Sequence, residues 1–595
     1  MANNSIKRDE NGTMRSKSIL IIRLLKYLKP YRFKTFIGIL LMIFVMLCGV
    51  LNPYLLGIAI DVNVANRDMN GLLTIGLVLV ILNCISWVIS RIRWTLVASI
   101  TNKVLVGIRN DLYSHIQSLS FDFFDSRPVG KILARVVGDV NALKNLFDQS
   151  IQSLIPNILN LIAVALVMFF MNFKLALAAI SFLPILIGTM FAIEIISRKR
   201  WDVYRSKRSN LNGFTHEDFS GIKVVQGFSC EEDVEENFKG MVKEMKTAFI
   251  RAVRLNDFFW PLVELSWGVG TLIVFGVGYR LILNGEIEVG TLISFSMYTG
   301  MFWRPIMELS NFYNTLITNL SAADRVFDIL EVEPVIKNTV DAIKMPKIKG
   351  KVEFRDVCFS YDEQETILKE VNFTVNKGEK IALVGETGAG KTTIISLLSR
   401  FYDTTEGEVL VDDYNIKNVD IMSFRSQMGI MLQDTFLFST SIKENIRYGR
   451  LDATDEEVMM AAKAVNAHDF IMRLEDGYDT EVNERGSRLS LGQRQLISFA
   501  RALLADPKIL ILDEATSNID TETEKMVQKG IEKLLEGRTS FVIAHRLSTI
   551  RDCDKIMVIE DGRISESGNH KELLEAKGAY YSLYMAQYEF IKEGA

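Results

Sequence analysis

The sequence predicts an α-helical transmembrane domain fused to an α/β P-loop nucleotide-binding domain, and three observations carry that prediction. The chain has 595 residues, too many for one ordinary hydrophobic core. Its long apolar runs all lie before about residue 325. Beyond that point strand and helix patterns alternate, and one loop between a strand and a helix has a phosphate-binding composition. The mean hydropathy of +0.17 is therefore an average over two unlike halves. A net charge of -4 and a pI near 6.0 exclude a global basic field, and with it nucleic acid as the main partner. The five cysteines are scattered without metal or redox spacing.

A helix needs about 20 apolar residues to cross a bilayer. Thr35–Ile60, Met69–Ser90, Gln149–Phe173 and Leu175–Ile193 are uncharged runs of 26, 22, 25 and 19 residues. Phe258–Tyr279 carries one charge, Glu264, and Val289–Ala323 is interrupted by Arg304 and Glu308. These give six expected spans, near 35–60, 69–90, 149–173, 175–196, 258–279 and 289–318, in a membrane domain covering 1–323. Basic, apolar Ile19–Tyr31 has no small-residue cleavage site and reads as an interfacial helix rather than a signal peptide. The N-terminal 34 residues and the loops 91–148 and 194–257 hold 29 Lys/Arg, against three in the short loops. The positive-inside rule then places the N-terminus, both long loops and the C-terminal half in the cytoplasm.

Loops of 58 and 64 residues fit helical hairpins whose legs extend about 45 Å. Their tips fall near 121–130 and 214–227, with a short transverse helix expected at His216–Gly221. Glu264, an acid inside a span, is the candidate for a substrate path. Arg304 and Glu308 are four apart and suit a structural pair.

Residues 324–350, polar and containing Pro334 and Pro346, read as a linker to a soluble domain over 351–595. There, strand Lys380–Val384 leads into Gly385-Glu386-Thr387-Gly388-Ala389-Gly390-Lys391-Thr392, followed by Thr393 and a helix. This is the full GxxxxGK[ST] pattern in a strand–loop–helix context. Its glycines let backbone N–H groups curl around phosphates, and the helix N-terminus adds positive partial charge. Lys391 would reach the β- and γ-phosphates, and the Thr392 hydroxyl would ligate Mg²⁺. The apolar strand Lys508–Leu512 delivers Asp513 to the metal, and Glu514 is placed to polarise an attacking water. His545 follows another apolar strand and can present its imidazole near the γ-phosphate.

The loop at 385–392, Leu-Ser-Leu-Gly-Gln at 489–493, the strand at 508–513, Ser-Asn-Ile-Asp at 517–520 and Ala-His-Arg at 544–546 occur in order. This set resembles the nucleotide-binding domain of ATP-binding cassette transporters, and six preceding spans resemble the exporter-type bacterial half-transporter. Phe-Phe-Asp-x₄-Gly at 123–130 is similar to that family's first coupling region. The resemblance implies that Tyr361 stacks on adenine and that Gln433 contacts Mg²⁺ and senses the membrane domain. It implies that Glu484 and Gly486 touch coupling helices, and that Ser490, Gly492 and Gln493 complete the ATP site of a second subunit. It also implies an ATPase of a bacterial plasma membrane, with ATP and Mg²⁺ as cofactors, exporting amphiphilic drugs, lipids or peptides. Import on the same fold and an ATP-gated sensor without transport are the competing readings. Leu491 stands where the signature usually has glycine, and Asn518 where alanine is common. In heterodimeric exporters of the family one subunit keeps the catalytic glutamate while carrying the altered signature. A heterodimer is therefore favoured over a homodimer.

Overall fold

A computed structural model describes residues 16–361, 365–431, 435–483, 486–513, 521–543 and 547–593. It divides into two compact units, one formed by 1–117 and 128–332, the other by 118–127 and 333–595.

The first unit is helical. Helices α1 (Lys17–Leu28), α2 (Arg32–Ile58) and α3 (Met69–Ser118) open the chain, and the short α4 (Phe121–Asp125) falls in the second unit. Then come α5 (Val140–Gln149), α6 (Ile155–Met171), α7 (Phe173–Ile180), α8 (Leu183–Ser220), α9 (Ile222–Gly227), α10 (Glu231–Asn256), α11 (Phe259–Leu283) and α12 (Val289–Leu330). Among the described residues five helical stretches are long and apolar enough to cross a membrane. The expected sixth lies in α12, a single 42-residue helix.

The 50 residues of α3 extend about 75 Å, more than twice a hydrocarbon core of about 30 Å. The helix therefore continues well beyond its apolar part. The loop 194–257 is an antiparallel hairpin of α8 and α10: Arg200 Nη1 donates to the Arg251 carbonyl at 3.0 Å, and Lys207 Nζ meets Glu244 at 2.7 Å. The short helix at its tip is α9, Ile222–Gly227, not the expected His216–Gly221. Nothing in Thr215–Ser220 breaks the α8 pattern, so that helix runs on until Gly221.

The turn between the third and fourth spans falls at Asn172 rather than Lys174. Asn172 is extended (φ -159°), and its Oδ1 accepts from Leu175 N at 3.1 Å, capping α7. Short loops converge at one end of the unit, where Lys174 pairs with Glu286 at 2.7 Å and Asp61 caps α12 by accepting from Gly290 N and from Thr291 N. This gathering is what the charge-based topology requires. At the other end Asp139 accepts from Arg325 Nε at 2.9 Å and Arg135 Nη1 at 3.0 Å, tying α12 to the first hairpin. Helix α12 continues to Leu330, so the first residues of the expected linker are helical.

The second unit has two sheets. Strands β1 (Val352–Ser360), β2 (Thr366–Val375), β3 (Lys380–Val384), β4 (Glu406–Val411), β5 (Tyr414–Asn415), β6 (Met428–Met431), β7 (Ile509–Asp513), β8 (Thr539–Ile543), β9 (Lys555–Glu560) and β10 (Arg563–Gly568) supply them. An antiparallel sheet runs β2-β1-β4-β5, and a six-stranded sheet runs β10-β9-β3-β8-β7-β6. From β9 to β6 that second sheet is parallel. Its central strands are continuous apolar runs because both faces are covered, with Ile381, Leu383, Ile509 and Phe541 in one core and Ala382, Leu510 and Val542 in the other.

Candidate functional site

In a doubly covered parallel sheet, ligands bind beyond the carboxyl ends of the strands. The register aligns those ends here: Leu383 of β3 and Asp513 of β7 both pair with Ile543 of β8, and Met431 of β6 pairs with Leu512. The phosphate-binding loop leaves β3 at this edge. Gly385 has φ +152°, and a Cβ there would stand 2.3 Å from the Ile559 carbonyl oxygen, so only glycine allows the loop to turn over β9. Gly390 has φ +110° and caps α13 (Lys391–Leu398), where a Cβ would meet the Leu368 side chain at 2.7 Å.

Helix α13 thus points its N-terminus along the loop, with Thr392 exposed at its first turn. Lys391 Nζ donates to the carbonyls of Gly385 at 2.7 Å and Glu386 at 2.8 Å, which holds the ammonium against the loop. Burial lowers the Lys391 pKa, and Asp513 opposes that shift by attraction. Asp513 ends β7, so the carboxylate and the ammonium share one electrostatic site. The hydroxyl of Thr392 and the carboxylate of Asp513 are hard oxygen donors of the kind Mg²⁺ prefers. Gln433, Glu484, Glu514, Asn518 and His545 lie outside the described residues. The strands that immediately precede Gln433, Glu514 and His545 are β6, β7 and β8, all ending on the shared edge.

Tyr361, at the end of β1, is half exposed and forms an edge-on cluster with Phe359 and Tyr402 at ring distances of 4.8 and 5.1 Å. Its hydroxyl lies 3.3 Å from Thr393 Oγ1. Thr393 is buried beside that aromatic, one residue into the helix from Thr392.

Ser490 is the N-cap of α14 (Leu491–Ala505). Its Oγ accepts from Gln493 N at 3.3 Å, while Gln493 Oε1 accepts from Ser490 N at 2.9 Å. The Gln493 side chain is therefore engaged in a capping box. Gly492 is buried in the first turn. Leu491 is the first helical residue and is not among the residues with positive φ. A side chain at 491 thus brings no backbone strain, and what distinguishes it from glycine is its bulk at the helix N-terminus. Gly486 has φ +71° and packs against Arg494 and Leu437.

The sequence did not reveal how the segment 118–127 is held. Phe121 stacks on Phe401 at 4.7 Å, and Tyr402 donates its hydroxyl to Asp125 Oδ2 at 2.5 Å. Phe123 is buried with the Arg127 guanidinium 4.5 Å above its ring. Arg425 in turn lies 5.1 Å over Phe401 and donates to the Ser399 and Arg400 carbonyls. The two aromatics that follow α13 therefore grip the expected coupling segment beside Tyr361. In the membrane half, Glu264 is exposed on α11, and Arg304 pairs with Glu308 at 3.7 Å as expected. Glu308 also accepts from Asn157 Nδ2 at 2.5 Å.

Residues 35–306 match the ABC transporter transmembrane region, and residues 368–517 match the ABC transporter family. The uncharacterised ABC transporter ATP-binding protein YknV of Bacillus subtilis is 44% identical over 95% of this chain and 94% of its own length. A protein of Staphylococcus aureus named as a candidate multidrug export ATP-binding/permease protein is 39% identical, covering 96% of this chain and all of that one. Among solved structures, a bacterial Atm1-family ABC exporter with ATP bound matches with a TM-score of 0.77 at 28% identity, covering 93% of this chain and 98% of that one.

Proposed function

Because this chain belongs to the ABC transporter family, as an ATP-hydrolysing, multi-pass membrane protein, we propose that it is one half of an exporter. It would move amphiphilic molecules out of the cytoplasm or inner leaflet of a bacterial plasma membrane. The name of the staphylococcal relative and the Atm1-family neighbour support the direction. The observation that carries coupling is the attachment of 118–127 to the ATP-binding unit through Phe401 and Tyr402.

In this reading residues 1–323 form six spans with the N-terminus cytoplasmic, and 351–595 form the motor. Two such motors close head to tail over two ATP molecules. Gly385–Thr392 enclose the phosphates, Lys391 leaves its carbonyl partners for them, and Tyr361 stacks on adenine. Thr392, Gln433 and Asp513 would hold a Mg²⁺ ion, which when bound offsets phosphate charge. Ser490, Gly492 and Gln493 present an α14 N-terminus to the partner's γ-phosphate. Glu514 orients and deprotonates the attacking water, and His545 supports the γ-phosphate. Closure is carried by 121–130 and by the α9 tip to the spans, turning the cavity outward. Hydrolysis resets it.

Glu514→Gln tests the core of this assignment. The variant should bind ATP and accumulate in the closed state, with turnover reduced about a hundredfold or more for loss of a general base. Near-normal ATPase activity would overturn the assignment.

A further inference from the structure

The α8–α10 hairpin carries a charged cleft that ATP coupling leaves unexplained. It measures about 870 Å³ and is lined by six cations against one acid, Glu244. The acid sits low in it, paired with Lys207. Four other cations stand at the top: Lys199 and Arg200 just after the apolar part of α8, and Arg251 and Arg254 just before that of α11. At 1.5 Å per residue they lie within about 10 Å of the span ends, whereas Lys207 lies about 17 Å away. The polar headgroup layer occupies roughly the first 5–7 Å beyond the hydrocarbon.

All four top cations are exposed, and none makes an ion pair among the described residues. Arg200 donates to the Arg251 carbonyl, and that bond holds together the two walls that both arginines line. The positive-inside rule accounts for cations near a span, but it does not require that they converge from two helices on one cavity.

We infer that this cleft binds the phosphate headgroup of an anionic lipid from the cytoplasmic leaflet. Arginine suits the site because its planar fork binds phosphate oxygens in pairs. The bound lipid would brace the two hairpin legs where they leave the membrane. The inference rests on the cytoplasmic placement of the hairpin. Protease access to the hairpin in inside-out against right-side-out vesicles therefore tests that premise separately, and cleavage only from outside would overturn both.

Native mass spectrometry of the complete detergent-purified transporter, given equal phosphatidylglycerol and phosphatidylcholine, reads the site. Retention of phosphatidylglycerol should be favoured by about tenfold, in keeping with about 1 kcal/mol per nearby cation before screening. K199Q/R200Q/R251Q/R254Q should lose the preference, while K223Q/K239Q, which removes cations farther down the hairpin, should keep it. Wild-type preference should also fall as salt rises from about 50 to about 500 mM, a measurement that needs no variant. Equal retention of both lipids, salt-insensitive retention, or an unaltered quadruple variant would overturn the inference. Full displacement by equimolar glycerol phosphate would overturn the lipid as its source, leaving a soluble anion.

Discussion

Tyr402 has two neighbours of different kinds: the Tyr361 ring on the nucleotide side and the Asp125 carboxylate on the segment that leads back to the membrane. Burial and Asp125 raise its pKa well above the ordinary tyrosine range, so the phenol keeps its proton, and the bond its donor, at any pH used for assay. If adenine stacks on Tyr361 as proposed, a residue so placed would feel its presence and pass it on through one hydrogen bond. Tyr402→Phe keeps the ring contacts and removes only that bond, a loss of about 1 kcal/mol, or about fivefold in an equilibrium. ATP affinity should stay near wild type while the substrate-stimulated part of the ATPase falls about fivefold. If ATP affinity and stimulation fall together, Tyr402 serves the nucleotide site alone. Asp125→Asn combined with it should cost little more than either change singly.

Helix α14 shows how an element presents a site. Its capping box satisfies N–H groups that would otherwise be orphaned at the helix start, and the same N-terminus is the one proposed to meet a partner's phosphate. Ser490→Ala should cost about 1 kcal/mol, lowering the melting transition of the ATP-binding unit by about 2–4 °C. An unchanged transition would mean that the box contributes nothing to the fold. The loop after β3 was legible in the sequence because its chemistry is local, glycines and a strand within a dozen residues, whereas the capping box of α14 came only with the fold. The α8 tip was legible only in outline. Helical pattern alone gives no stop before Gly221, so the short helix was expected six residues too early. The grip of Phe401 and Tyr402 on Phe121 and Asp125 was not legible at all, since it joins residues 277 positions apart that share no motif. That Leu491 begins a helix with an ordinary backbone was likewise not legible, because its register is set by the fold.

At the scale of the whole transporter the open question is which chain faces this one, and Leu491 bears on it most directly. Since the residue begins α14 with an ordinary helical backbone, its effect cannot come through a distorted turn. It must come through bulk, a partly exposed isobutyl group at the end of the helix whose N–H groups should approach the γ-phosphate of the opposite subunit. An apolar group there displaces the anion outward and weakens the field that the helix terminus supplies, which depends on close approach. Two copies of this chain would suffer the loss at both sites. A partner with an unaltered signature would restore it over the site holding this chain's own Lys391, Asp513 and Glu514. The purified chain alone should therefore hydrolyse ATP slowly, and Leu491→Gly should raise that rate by about tenfold, the equivalent of 1.4 kcal/mol in the barrier. Glycine at this helix start costs about 1 kcal/mol in propensity, so a gain in rate would appear despite a small loss in stability. Such a gain identifies the side chain itself as the obstruction. A wild-type chain as active alone as Leu491→Gly would refute the heterodimer and make leucine a tolerated signature residue.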